Sequence, residues 1–157
     1  MRIIVAWFGR PGRSPFEGQV GEYVKRVSRR WPAEDLALRP AAGGRDHDPG
    51  RVLQREADAL RRARPDGWPT VVLDEAGRAM ASVELARALA ELEEASPGGV
   101  FFALGSDLGL DPAVRREATW SLSLSRLTLP HLLARLVLWE QLFRAIDILG
   151  GGGYHRP

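Results

Sequence analysis

Three stretches of this 157-residue sequence carry side chains whose types and spacing could do chemistry. The first is Gly105-Ser106-Asp107-Leu108-Gly109, directly after the apolar run Val100 to Leu104. A loop at the carboxyl end of a strand is where open α/β sheets usually bind ligands. It is also what a turn needing positive φ looks like, so the loop alone leaves both readings open. The second is His131, just after Pro130, with Arg135 four residues on and on the same helical face. Such a pair could receive an anionic phosphate or simply be a solvated helix start. Glu140, Arg144 and Asp147 follow as a polar stripe, in which the Glu140-to-Arg144 order favours an ion pair that needs no function. The third is the tail from Gly150 to Pro157. Four glycines at a terminus usually mean disorder, yet Tyr154, His155 and Arg156 together offer a stacking ring, a titratable imidazole and a cation. Once ordered, that trio suits a nucleotide.

What is missing narrows the chemistry. With no cysteine, disulfides, thiolate zinc sites, iron–sulfur clusters and cysteine nucleophiles are excluded. The three histidines, His47, His131 and His155, lack close carboxylate ligand spacing, so no metal site is expected. Neither a G-x-G-x-x-G fingerprint nor a G-x-x-x-x-G-K-[ST] phosphate loop is present. The net charge of +2 is small, but residues 1–70 hold thirteen arginines and Lys25 against nine acids, while residues 71–157 hold eight arginines against eleven. The front half is the basic half. Arginine suits phosphate and planar-base recognition, although codon bias would enrich it everywhere.

The elements that must position these groups alternate between short apolar runs and helical patterns, the signature of an α/β fold with a mostly parallel sheet. Strands are expected at Arg2–Phe8, around Leu36 and Leu38, at Thr70–Asp74, Val100–Leu104 and Ser121–Leu124. Helices are expected over Pro15–Trp31, over Arg51–Arg64, from an N-cap at Ser82, after Asp111-Pro112, and from Pro130 onward. Ala41 to Gly50 reads as a loop. The last helix is apolar on nearly every side, and in so small a chain one sheet covers only one of them, which points to a homodimer. Residues 1–157 are expected to form one domain. The longest apolar-rich stretch, Leu132 to Leu149, is broken by five polar residues and is no membrane span. A soluble, cytoplasmic protein is expected.

The run Ser123-Leu124-Ser125-Arg126-Leu127-Thr128-Leu129-Pro130-His131 continues through Arg135 and Glu140-Gln141-Leu142-Phe143-Arg144-Ala145, and the chain ends in Tyr154-His155-Arg156. Over its whole length the sequence resembles the bacterial ribosomal RNA large subunit methyltransferase H family. These are SPOUT-class, α/β-knot enzymes that methylate ring nitrogen three of a pseudouridine in a loop of 23S rRNA. The resemblance implies helices on both faces of the sheet, a C-terminal trefoil knot, S-adenosylmethionine as cofactor, and 23S rRNA in the large subunit or ribosome as partner. Carried over by position, Leu73, Gly105 and Leu124, Ser125, Arg126, Leu127, Thr128 and Leu129 would cradle the cofactor. His131, Tyr154, His155 and Arg156 would serve catalysis, and Arg135 and Arg144 would hold the RNA. One departure is Ser106, where the family often has a second glycine. Two alternatives follow: a noncatalytic RNA-binding or ribosome-assembly protein of the same fold, or a SPOUT enzyme acting on tRNA.

The chemistry is consistent with this set. An imide nitrogen of a uracil-type ring is protonated at neutral pH, so its methylation needs in-line positioning plus proton removal or anion stabilisation. No covalent enzyme intermediate is needed, and lack of cysteine argues against methylation at carbon five. The target base must leave its stack to reach a buried donor.

Overall fold

The computed structural model describes residues 1–41 and 48–156. His47 and most of the loop expected at Ala41–Gly50 lie outside the described residues. In chain order the elements are β1 (Arg2–Phe8), α1 (Glu17–Val27), β2 (Ala33–Leu38), α2 (Pro49–Ala63), β3 (Thr70–Ala79), α3 (Ser82–Ala95), β4 (Gly99–Ala103), α4 (Pro112–Glu117), β5 (Trp120–Ser123) and α5 (His131–Leu149). The strands form one parallel sheet in the order β2-β1-β4-β3-β5.

β1 is buried from Ile3 to Phe8, as a parallel strand covered on both faces must be. Its alternate residues feed two cores. Ile3, Val5 and Trp7 pack with residues of α1, α3 and α5, whereas Ile4, Ala6 and Phe8 pack with Ala57 and Leu60 of α2 and Val114 of α4. Asp111 caps α4 as expected, accepting from Ala113 N–H at 2.7 Å, whereas α2 starts two residues before the expected Arg51, where Asp48 of the expected loop accepts from Gly50 N–H at 2.9 Å. Ser82 does not cap α3. The N-cap is Ala81, whose N–H donates to Glu84 at 2.7 Å, and Ser82 Oγ instead donates to Gln141 on α5 at 2.7 Å.

β3 runs longer than its apolar stretch suggests. Leu73 pairs with Leu122, and after a register shift Arg78 pairs with that same residue, so residues 74–77 bulge out of the ladder. Gly77 permits this: a Cβ there would lie 2.9 Å from Leu122 N. α5 lies between α1 and α3, with Arg135, Leu138, Trp139, Leu142 and Ala145 buried. The helix that reads as greasy all round is therefore largely covered within one chain. Leu133 and Val137 are half-buried and belong to neither core cluster.

Candidate functional site

A cleft of about 600 Å³ opens at the carboxyl ends of β3, β4 and β5. Its apolar walls are Leu73, Leu104, Leu122, Leu124 and Leu129, and the loops 105–110 and 124–131 close over it. Backbone dictates the shape of its lip. Leu104 N–H still donates to Ala6 O at 2.9 Å, and the chain then turns at Gly105, where a Cβ would run into the carbonyl of Gly109 and lie 2.9 Å from Leu110 N. Gly109 holds φ at +79°, which glycine adopts at no cost. Ser106 has no positive φ, and its Oγ accepts from Leu108 N–H at 3.3 Å. The serine thus fits the turn rather than straining it.

Three polar pairs ring the cleft. His131 Nδ1 lies 2.7 Å from Asp107 Oδ1, joining the start of α5 to the lip of the loop. Asp74, nearly buried, pairs with Arg115 at 2.9 Å. Thr128 Oγ1 donates to Glu75 at 3.2 Å. Asp74, Glu75 and Arg115 were not singled out by the sequence; the available signal was an acid at the carboxyl end of a strand. Of the residues expected at the cofactor, Leu73, Gly105, Leu124, Ser125, Leu127, Thr128 and Leu129 line the cleft, while Arg126 is exposed and does not.

A second cluster gathers at the other end of α5. Asp147 accepts from the backbone N–H groups of Tyr154 at 3.0 Å and His155 at 2.9 Å, which folds the tail back onto the helix. Tyr154 donates to Glu140 at 3.0 Å, lies 3.4 Å from the Tyr23 hydroxyl, and packs edge-on against Phe143. These contacts with Tyr23, burial, and the Glu140 carboxylate raise the Tyr154 phenol well above its ordinary value. Arg144 bonds Glu140 through a short charge-assisted contact, sits 4.8 Å above the Tyr154 ring and reaches His155 Nδ1 at 3.4 Å. A guanidinium only donates, so that imidazole nitrogen is the acceptor. The Glu140 carboxylate holds the Arg144 guanidinium above its usual range. Glu140 and Arg144 do form the ion pair their spacing favours.

Tyr154, His155 and Arg144 therefore come together, with Arg156 next in the chain and exposed, but His131 does not join them. Thirteen residues of α5 separate His131 from Arg144, roughly 20 Å at 1.5 Å per residue. Arg135 overturns the surface role that its spacing from His131 suggested. Only 1% of its side chain is exposed; it donates to Asp35 at 2.9 and 2.5 Å and to Glu17 at 3.3 and 3.4 Å, and it stacks 3.8 Å from the Trp7 ring. The indoles of Trp7 and Trp139 complete the set on Asp35 at 3.0 and 2.8 Å. Burial alone would lower the pKa of this guanidinium, and the Asp35 and Glu17 bonds outweigh it, so the group is held charged. Arg135 is a buried structural cation with nothing left for a phosphate.

Among the described residues no group of three or more His, Asp or Glu side chains could hold a metal, and no helix is long and apolar enough to cross a membrane.

Comparison with known proteins gives a consistent answer. A family model described as predicted SPOUT methyltransferase matches residues 1–155. The protein named ribosomal RNA large subunit methyltransferase H in Roseobacter denitrificans is 39% identical over 156 residues, covering 99% of both chains. Its namesake in a Geobacter species is 36% identical over 155 residues, again covering 99% of both. A solved structure of a probable methylase family protein from Haemophilus influenzae superposes with a TM-score of 0.52 over 99% of this chain and 70% of that one, at 12% identity, a likeness of fold.

Proposed function

This chain belongs to the SPOUT methyltransferase family, and on that premise we propose that it methylates ring nitrogen three of a pseudouridine in a loop of 23S ribosomal RNA. The donor is S-adenosylmethionine, the acceptor lies in the large subunit or ribosome, and the enzyme works in the cytoplasm as a homodimer. The observation that carries this reading is the cleft: leucine walls at the strand ends, a few polar side chains at its rim, and a glycine at 105 where no Cβ fits. Apolar walls with a few placed polar groups suit a flat purine and ribose. Leu73, Gly105 and the run Leu124 to Leu129, without Arg126, would hold the cofactor. When bound, the cofactor supplies an electrophilic methyl group.

The chain's own residues would do the rest. Tyr154 and Arg156 orient the base, Arg144 meets the RNA, and either His155 or His131 accepts the imide proton. Asp107 on His131 Nδ1 fixes that ring's orientation and leaves Nε2 as its free nitrogen. The separation of the two clusters along α5 gives the dimer a purpose. A two-fold axis that pairs α5 head to tail would bring one copy's tail to the partner's cleft, with Leu133 and Val137 at the contact.

Removing residues 154–157 tests the assignment. Methyl transfer to 23S rRNA should fall by at least about 100-fold, the range of a general acid–base contribution, while calorimetric binding of S-adenosylmethionine stays unchanged. A fully active truncation would refute the role of the tail. Absence of cofactor binding by the intact chain at millimolar concentration would leave a noncatalytic RNA-binding protein. Methylation of tRNA in place of 23S rRNA would move the substrate instead.

A further inference from the structure

We propose that Arg10, Arg13 and Arg39 form a basic rim that grips the phosphates of the RNA beside the cleft, an inference that rests on the RNA-methylating function above. Arg10-Pro11-Gly12-Arg13 is a tight turn in which Arg13 N–H donates to Arg10 O at 3.3 Å and Gly12 has φ +75°. Proline second and glycine third are the marks of a type II turn, which holds its first and last Cα atoms within about 7 Å. Arg39 joins them through the sheet. Phe8 pairs with Leu38, and the ladder runs one bond further, Gly9 N–H to Leu38 O at 2.9 Å, so Arg39 leaves β2 beside Gly9 and Arg10. On its other side β1 pairs with β4, whose end is the cleft lip at Gly105. Adjacent strands lie about 4.8 Å apart, so rim and cleft share one edge of the sheet.

All three arginines are exposed, and none has a carboxylate partner among the described residues. The acids closest in sequence are already committed: Glu17 and Asp35 to Arg135, and Glu34 to Arg2. Some other cations are paired, as in Arg30 with Glu93, Arg61 with Glu117 and Arg115 with Asp74; what distinguishes Arg10, Arg13 and Arg39 is that one turn and the adjoining strand end gather them at the end of the sheet where the cleft opens. Three like charges gathered by a rigid turn and a strand end, without counter-charge, fit a polyanion whose phosphates are regularly spaced. The backbone of the RNA would lie over β1 and β2 while its target base enters the cleft at β4 and β3.

The test is a triple variant, R10Q/R13Q/R39Q, bound to ribosomes purified from a strain lacking the enzyme and assayed for methyl transfer. Ribosome affinity should fall at least about ten-fold, and the slope of log affinity against log salt should shrink by about 2, near 0.7 for each phosphate of a single strand that is no longer neutralised. Cofactor affinity and thermal midpoint should match the wild type. A control, R29Q/R62Q/R87Q, removes the same charge from the turn after α1, from α2 and from α3 and should bind normally. The rim is overturned if the first variant keeps wild-type affinity and salt slope, or if the control is weakened as much. Failure of the underlying function shows differently, as a wild-type chain that neither binds nor methylates ribosomes, and that result overturns both.

Discussion

Asp35 and Arg135 lie 100 positions apart in the chain and meet in the core, with both oxygens of the carboxylate on the guanidinium. The pair ties β2 to α5, and the two indoles on the same carboxylate leave it no free direction. Removing one partner of a buried pair strands the other charge, at a cost of about 3–5 kcal/mol. Asp35→Ala should therefore lower the thermal midpoint by roughly 10 °C, taking about 2–4 °C per kcal/mol for a chain of this size. An unchanged midpoint would return Arg135 to the candidates for RNA contact.

At the cleft lip, two neighbouring positions should behave in opposite ways. Gly105→Ala places a methyl against the Gly109 backbone and should weaken S-adenosylmethionine binding by at least about ten-fold, a change of about 1.4 kcal/mol. Ser106→Gly should leave affinity as it is, because the serine already has an ordinary backbone and satisfies Leu108 N–H. Calorimetry on both variants decides. A large gain from Ser106→Gly would mean that the serine does impair the cofactor loop.

The proposed dimer surface can be separated from the core by choice of residue. Leu142 is fully buried within one chain, so a charge there should unfold the protein. Leu133→Glu with Val137→Glu should instead yield a folded monomer by light scattering, with cofactor bound and methyl transfer abolished. A dimer that survives both changes has its interface elsewhere.

Glu93 sets an acid limit. Burial opposes its charge, but bonds from the Trp31 indole at 2.7 Å and Arg30 at 3.0 Å prevail and hold its pKa below the usual 4.5. A carboxylate with a depressed folded pKa stabilises the fold above its unfolded value and loses that contribution as pH falls through the folded one. Glu93→Gln should therefore cost about 1 kcal/mol near neutrality, a charged hydrogen bond discounted for partial exposure. The wild-type advantage should be lost in acid, as pH falls from the usual carboxylate range through the depressed folded pKa. A difference independent of pH would sink this assignment.

The parts of the molecule legible in its sequence are those governed by local rules. Val71, Val72, Phe101 and Phe102 announce buried strands, Asp111 announces a helix start, and the strand-then-glycine loop at Gly105 marks the cleft. What could not be read depends on partners far along the chain. Helical spacing put Arg135 on a face with His131, but periodicity fixes an angle between neighbours and not what stands opposite; Asp35 and Trp7 stand there. The same holds for α5, whose apolar circumference read as a face for a second copy when α1 and α3 already cover much of it. Asp74 found Arg115 across 41 residues, and the bulge at Gly77 lengthened a strand whose apolar run ended earlier.

The strand order has a consequence for how the protein is made. β1, which leaves the ribosome before the other four strands, sits inside the sheet between β2 and β4, and the Asp35 beside it gains its counter-charge only when α5 follows. Long-range parallel pairing closes slowly, and synthesis proceeds at about 5–20 residues per second. A nascent chain must therefore wait several seconds, with β1 unpaired on one side, until Val100–Ala103 emerge. Protease challenge of stalled chains should show protection only once α5 is free of the exit tunnel. Release of the last helix, rather than emergence of the first strand, would thus set the moment at which this chain can fold.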